Sequence, residues 1–191
     1  AHFNFHTAGG NYKPFADLIR NDGYEVVRNQ ERFRPETLRG YQVLVIANAL
    51  GKKGVVAMLA NLAGYPSALQ WDLAAFTPRE CDAVRDWVAQ GGGLLLVSDH
   101  APTGNAAREL SLRFGVDMSN WFLEDDQHSD PDAYGWLVFN RENGLLLSHP
   151  VTEGRNPTER VQRVVTFVGQ SLKGGQGSVA FLSVAPTARE Y

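Results

Sequence analysis

Two short apolar runs are the strongest strand candidates in the chain. Residues 41–49 read YQVLVIANA and are rich in β-branched side chains, and residues 94–97 (LLLV) follow three glycines. Continuous apolar runs of this length are typical of strands that are buried on both faces of a parallel sheet. The pattern therefore predicts two central, parallel strands.

Apolar residues at helical spacing occur between and after these runs. They occupy residues 14–22, 55–62, 77–90 and 103–114. The clearest start is at Thr77, where the sequence TPRE combines a capping box with a proline at the first helical position. For the helix at 103–114, either Thr103 or Asn105 is the expected N-cap.

Shorter patterns predict five further strands. Alternating or β-branched residues mark them at 1–6, 24–27, 136–139, 161–168 and 179–184. Strands that alternate with helices favour a parallel sheet covered by helices on both faces. The predicted fold is one α/β domain over residues 1–191, with a three-layer, flavodoxin-like, mostly parallel sheet.

The composition is that of a globular protein, and it argues against nucleic-acid binding, binding to anionic membranes and membrane spans. It has 191 residues, 43% of them hydrophobic, and a formal net charge of −3 with no long run of one sign. This balance favours neither nucleic acid nor an anionic membrane surface as a partner. No stretch reaches the roughly 18 apolar residues of a spanning helix, so no membrane span is expected.

The two ends of the chain lead us to expect a trimmed domain. The sequence starts at Ala1 inside an alternating pattern and stops at Tyr191 soon after an apolar run. We expect truncation at both ends, which is compatible with the removal of a targeting segment. Both a cytoplasmic protein and an exported one therefore fit the sequence, and so do a monomer and an oligomer.

Polar residues follow the predicted strands at the edge where a ligand crevice is expected. In open α/β sheets, ligands bind outside the carboxyl ends of the strands. His100 is the expected general acid or base and Asp99 its orienting partner, because imidazole exchanges protons near neutral pH. The expected ligand-binding residues at the same edge are His6, Asn48, Ser98 and Thr103.

Nucleophilic catalysis by serine or cysteine is not supported by the sequence. Ser98, Asp99 and His100 are adjacent, and adjacent side chains in extended backbone point in alternating directions, so they do not form a triad by themselves. Cys81 lies on the apolar face of a predicted helix and is expected to be a buried, structural thiol. The glycine-rich stretches match neither a dinucleotide-binding motif nor a P-loop, so no nucleotide cofactor is expected.

An acidic segment is compatible with a metal site. Acidic or histidine side chains recur there at every second position, at Asp126, His128, Asp130 and Asp132. The segment is not an EF-hand, because Pro131 stands where that loop needs glycine and Leu137 where it needs glutamate. Both a solvated acidic loop and a divalent-cation site that borrows His100 or Asp99 fit the pattern.

Longer segments resemble a known superfamily. YQVLVIANAL, followed by FTPRECDAVRDWVAQGGGLLLVSDHAPTG, is similar to the class I glutamine amidotransferase-like superfamily, in particular its non-amidotransferase branch near the trehalose-utilisation (ThuA-like) proteins. NFHTAGGNYKPFADLIRNDGYEV resembles the first strand loop and helix of that family, and SHPVTEGR and VVTFVGQSL resemble bacterial members of unknown function. The resemblance implies a flavodoxin-like sheet with its site at Asp99 and His100, and with Asn48 near the oxyanion-side loop. The family's cysteine nucleophile is missing, so glutamine amidotransferase activity is not implied.

Three functions fit these observations. The first is a catalytically degenerate amidotransferase-like domain that binds a small polar ligand, sugar-like or peptide-like, with Trp71, Trp121 and Trp136 as stacking faces. The second is a hydrolase or isomerase that uses His100 and Asp99 in acid–base catalysis, with or without a metal. The third is a protein-interaction module without a small ligand. The resemblance favours the first, with a small molecule as the expected partner.

Overall fold

The structure is a computed structural model that describes residues 6–191. The α-helices are α1 (Lys13–Asn21), α2 (Pro35–Leu38), α3 (Lys52–Leu62), α4 (Pro78–Ala89), α5 (Thr103–Ser111) and α6 (Pro150–Glu153). The strands are β1 (Val43–Ala47), β2 (Gly93–Val97), β3 (Val116–Met118), β4 (Leu123–Glu124), β5 (Ser129–Asp130), β6 (Ala133–Asn140), β7 (Arg163–Phe167), β8 (Leu172–Gly174) and β9 (Arg189–Glu190). Short 3₁₀ helices lie at Pro66–Gln70, Leu112–Phe114, Asp126–His128 and Pro157–Glu159. None of the helices in the described part of the chain is long and apolar enough to cross a membrane.

The four helices predicted from apolar spacing are present as α1, α3, α4 and α5. At the start of α4, the Glu80 N–H donates to the Thr77 hydroxyl at 3.3 Å, and the Thr77 N–H donates to Glu80 Oε2 at 3.0 Å, so the predicted capping box is confirmed. The expected cap of α5 is wrong, because Pro102 occupies the N-cap position and no side chain caps that end. The Thr103 hydroxyl donates instead to the carbonyl of His100.

The strands β1 and β2 form the parallel pair that the apolar runs predict. Val43 lies opposite Gly93, and Ala47 lies opposite Val97. Residues 48–92 connect the two strands and contain α3 and α4, which supply the long crossover that a parallel pair requires. Both strands therefore end at the same edge.

The three-layer, flavodoxin-like, mostly parallel sheet predicted from the sequence is wrong. Among residues 6–191, β1–β2 is the only parallel pair, while β3–β8, β4–β9 and the three-stranded β5–β6–β7 sheet are antiparallel. The physical reason lies in the connections. No α-helix or 3₁₀ helix described after α5 exceeds four residues, so the later strands lack helical crossovers and pair antiparallel.

The shorter strand predictions have mixed outcomes. Those at 136–139 and 161–168 are confirmed by β6 and β7. Residues 24–27 and 179–184 form no strand, although Leu182 makes one antiparallel bridge to Leu146, since β propensity forms a strand only where a partner edge is available. The strand predicted at 1–6 lies outside the described residues except for His6, which is not in a strand.

The main core lies between the parallel pair and the helices α4 and α5. Ile46, Cys81, Val84 and Leu110 are buried there. Burial on both faces of the central strands is incomplete, because Leu95 of β2 remains 43% exposed. A second cluster supports the antiparallel sheets and consists of Leu123, Leu137, Phe139 and Leu146.

Candidate functional site

The candidate site is the turn after β2, where Ser98, Asp99 and His100 leave the strand. Its backbone is held from two sides. The Asp99 N–H donates to Asn48 Oδ1 at 2.9 Å and to Thr103 Oγ1 at 3.1 Å. The structure thus brings Asn48 and Thr103 to Asp99, and their side chains fix the position of the turn.

Asn48 reaches the turn through a left-handed backbone conformation. Its φ is 48°, a region that asparagine tolerates better than most residues. Its N–H donates to the Val97 carbonyl at 2.9 Å, which extends the pairing of β1 and β2 by one residue. Asn48 is buried, and its amide oxygen is engaged with the Asp99 backbone.

Ser98 and Thr103 are bonded to each other. The Ser98 hydroxyl donates to Thr103 Oγ1 at 3.2 Å, and Thr103 Oγ1 donates to the His100 carbonyl at 2.7 Å. Together with the bond from the Asp99 N–H, these contacts fill the donor and both acceptor positions of the Thr103 hydroxyl. The two hydroxyls therefore belong to the internal network of the turn, and a role in ligand binding stays a prediction.

The His100 ring is fixed by three neighbours. Its Nδ1 lies 2.7 Å from the Ala101 carbonyl, and because a carbonyl oxygen only accepts, Nδ1 carries the proton. Nε2 then faces Asp99, 3.7 Å from Oδ2. The ring stacks on Phe122 with centroids 4.4 Å apart. His100 and Asp99 thus lie side by side at a separation beyond a direct hydrogen bond, and their role in acid–base catalysis stays a prediction.

The electrostatics of the turn centre on Asp99. Burial raises the pKa of Asp99 above its ordinary value, although His100 and His6 partly oppose the shift. Burial, and then the charge of Asp99, raise the pKa of the Tyr12 phenol. His6 meets Tyr12 edge to face with centroids 5.6 Å apart. The structure thus gathers His6, Tyr12, Asp99 and His100 at the end of the parallel pair.

Three aromatic residues at this site are missed by sequence reasoning. Tyr12 is one, and its signal is its place at the end of a glycine-rich loop, immediately before α1. Phe122 and Tyr191 are the others, and their rings stack with centroids 5.7 Å apart. Tyr191 follows β9, which pairs with β4 beside Phe122, so this contact depends on long-range strand pairing that no local pattern indicates.

Carboxylates in and beside the acidic segment are hydrogen-bonded to other side chains of the protein. His128 and Thr187 bond to Asp125 at 2.8 and 2.9 Å, and Arg163 donates to Asp130 at 2.6 Å. Burial raises the pKa of Asp125, but its hydrogen bonds outweigh this effect and hold the pKa below its ordinary value. No group of three or more His, Cys, Asp or Glu side chains among residues 6–191 is placed to hold a metal ion.

Cys81 is a structural thiol, as expected. It is 0% exposed on the inner face of α4. Burial raises the pKa of its thiol to about 11. Because the thiolate is the nucleophilic form, Cys81 does not supply a nucleophile near neutral pH.

The three tryptophans predicted as stacking faces lie in three different environments. Trp121 lines a separate depression of about 300 Å³ that also contains Arg108 and Lys173. Trp136 packs edge-on against Phe167 with centroids 6.0 Å apart. The carbonyl of Trp71 accepts a hydrogen bond from the Asn105 side chain. None of these contacts places an indole ring against the turn after β2.

Comparison with known proteins gives a likeness of fold. No protein-family model matches the chain, and no curated protein matches it. Among solved structures, the mmIFT52 N-terminal domain is similar, with a TM-score of 0.67 and 14% sequence identity over 96% of this chain and 69% of that chain. At this identity the likeness shows the fold alone.

This likeness overturns the resemblance drawn from the sequence. A solved neighbour is an IFT52 domain and the described sheets are mostly antiparallel, so the assignment to the class I glutamine amidotransferase-like superfamily and its ThuA-like branch is wrong. The main functional prediction, a degenerate amidotransferase-like domain that binds a small polar ligand at the turn, is wrong with it. The motifs misled because an apolar strand that ends in a polar turn and a helix is shared by many α/β folds.

Proposed function

We propose that the chain is a protein-interaction module and that one exposed face of α3 is its binding surface. Val56, Leu59 and Leu62 on this helix are 56%, 59% and 77% exposed. Tyr65, which follows the helix, is 67% exposed. These four residues are called the α3 stripe.

The α3 stripe lies on the side of the helix that faces away from the protein. The buried residues of α3 are Gly54 and Ala57, which are small, and Ala57 packs in a cluster with Ala68 and Leu73. At about 100° per residue, the centre of the stripe lies nearly opposite these two buried positions. A surface helix ordinarily buries its large apolar residues and exposes polar ones. The reversal in α3 is the observation that carries the proposal.

Two further considerations support an interaction role. Single exposed apolar residues are common on protein surfaces, whereas clustered ones mark sites of contact. The stripe places three large aliphatic side chains and one aromatic side chain on a single element and its end. The fold likeness to the mmIFT52 N-terminal domain is also in keeping with a module that contacts other proteins.

The proposal is tested with a matched pair of variants, Leu59→Asp and Leu18→Asp. Both leucines are 59% exposed, and each lies on a helix, α3 or α1. Proteins that the wild-type chain captures from cells of its source are purified and their binding is measured with purified components. We expect Leu59→Asp to bind at least about tenfold more weakly, because an aspartate in an apolar contact is desolvated without a partner. Leu18→Asp should bind like wild type, and equal binding by both variants would refute the surface.

A further inference from the structure

The charges beside the α3 stripe indicate the chemistry of its partner. Lys52 and Lys53 begin α3 and are both exposed. They are the only charged residues from Leu50 to Trp71. Neither lysine forms an ion pair with any residue in the described part of the chain. Both positive charges are therefore available to a partner.

The lysines lie at one end of the α3 stripe. Lys52 precedes Val56 by four residues and Leu59 by seven, which is the spacing of neighbours along one side of a helix. Lys53 is turned by about 100° around the helix axis from Lys52. The rest of the helix and the segment after it, Gly54 to Trp71, contain no charged residue. The helix thus has a direction, with positive charge at its N-terminal end and no charged side chain of its own at its C-terminal end.

We propose that the partner is an amphipathic helix whose acidic side chains pair with Lys52 and Lys53 while its apolar side chains cover the α3 stripe. The inference rests on the proposed function and adds the charge pattern of the partner. An apolar face with anchors at i, i+3, i+4 and i+7 packs along an apolar helix ridge. Acidic residues opposite the lysines give orientation and register more than affinity.

Two other occupants fit this surface less well. The α3 stripe of a second copy of the chain brings further lysines and no acid, so self-pairing leaves the positive charges without a counter-charge from this face. Segments that bind anionic lipids carry about four to eight basic residues close together. Only Lys52 and Lys53 are present here, in a chain of net charge −3, which an anionic bilayer repels.

A displayed peptide library tests the charge pattern without a known partner. The probe is a phage library of helical peptides with fixed apolar positions and randomised polar positions. It is selected on the wild-type chain, on the double variant Lys52→Glu/Lys53→Glu and on Leu59→Asp. We expect Asp and Glu to be enriched near one end of the peptides on wild type, and Lys and Arg at the same positions on the double variant. Peptides selected on wild type should bind the double variant about tenfold more weakly.

The outcomes separate this inference from the proposed function. Peptides that require Leu59 but show no acidic preference, and that bind the double variant as tightly as wild type, overturn the acidic partner and leave the surface in place. Selection that is unchanged by Leu59→Asp, or that yields no binder, overturns both. Circular dichroism of each variant, with Leu62→Asp as a second stripe variant, ensures that loss of binding is not loss of folding.

Two control measurements decide between the alternative occupants. If sedimentation velocity shows that the wild-type chain dimerises and that Leu59→Asp does not, the α3 stripe binds a second copy of the chain and not a helical partner. If the chain floats with vesicles of phosphatidylcholine and phosphatidylserine and this flotation requires Lys52 and Lys53, the α3 stripe binds a membrane surface and not a helical partner. Either result overturns the inference, and we expect neither.

Discussion

A single residue, Asn48, joins the ends of β1 and β2 to the turn. It adopts a φ of 48° and accepts a hydrogen bond from the Asp99 N–H. We expect Asn48→Ala to lower the free energy of unfolding by about 1–3 kcal/mol, since alanine loses the bond and is strained in the left-handed region. Asn48→Gly loses only the bond and should be less harmful. Urea denaturation measures both, and equal losses would mean that the backbone conformation contributes nothing.

Asp99 gives the protein a pH dependence of unusual sign. Burial raises its pKa above the ordinary 3.8, so the fold disfavours the charged form. Its contribution to stability is fully present below pH 3.8 and is lost as the pH rises through the raised pKa. We therefore expect Asp99→Asn to be more stable than wild type near neutral pH, with a difference that disappears toward pH 3.8. The free energy of unfolding, measured across this range, checks the sign.

Asp125 should behave in the opposite way. Burial raises its pKa, but the bonds from His128 and Thr187 outweigh burial and lower the pKa below 3.8. Its stabilisation is present above that pH and is lost as the pH falls through the lowered pKa. Asp125→Asn should therefore be less stable than wild type at neutral pH, and the difference should shrink in acid. Differences of the same sign for Asp99→Asn and Asp125→Asn would contradict the described environments.

At the residue scale, local sequence indicates part of the site and misses the rest for a physical reason. Asn48 and Asp99 each follow an apolar run, so their place at the strand ends can be inferred from the runs themselves. Phe122 stacks on His100, and Tyr191 stacks on Phe122 where β4 pairs with β9, two strands that are far apart in the sequence. Contacts of this kind depend on tertiary pairing, which periodicity does not encode.

At the scale of elements, α5 packs so closely that Gly104 has no room for a side chain. A Cβ atom there would lie 2.0 Å from the Ser119 carbonyl oxygen and 2.1 Å from Gln170 Oε1. We expect Gly104→Ala to lower the free energy of unfolding by about 1–3 kcal/mol, although alanine has the higher helix propensity. Gly169→Ala is the control, because nothing lies within 4 Å of its Cβ position. Thermal denaturation of both variants should show a lower midpoint for Gly104→Ala alone.

The elements themselves are easier to predict than their arrangement. The helices α1, α3, α4 and α5 follow from apolar spacing, and β1 and β2 follow from apolar runs with a long connection between them. The parallel arrangement of these two strands does not extend to the other sheets of residues 6–191, which are antiparallel. Strand direction depends on which edges meet, and β3–β8 and β4–β9 join distant segments whose short sequences carry no signal of direction.

In the molecule as a whole, the polar turn and the α3 stripe differ in how far their side chains are engaged in contacts within the protein. The side chains of Asn48, Ser98 and Thr103 are engaged in hydrogen bonds that hold the turn together. The α3 stripe, in contrast, presents large apolar groups to solvent. Because burial of apolar surface is the main favourable term in protein association, the surface most suited to a partner is the stripe.

The orientation of α3 can be tested without any partner. Leu62 is 77% exposed, so Leu62→Lys should change the free energy of unfolding by less than about 0.5 kcal/mol while improving solubility. Ala57 is 0% exposed and packs against Ala68 and Leu73, so Ala57→Leu should overfill that cluster and lower the free energy of unfolding by about 1–3 kcal/mol. Urea denaturation and precipitation assays measure the two effects. If Leu62→Lys destabilised the protein as much as Ala57→Leu, the large residues of α3 would be packed inside the fold, and the surface proposed for the partner would not exist.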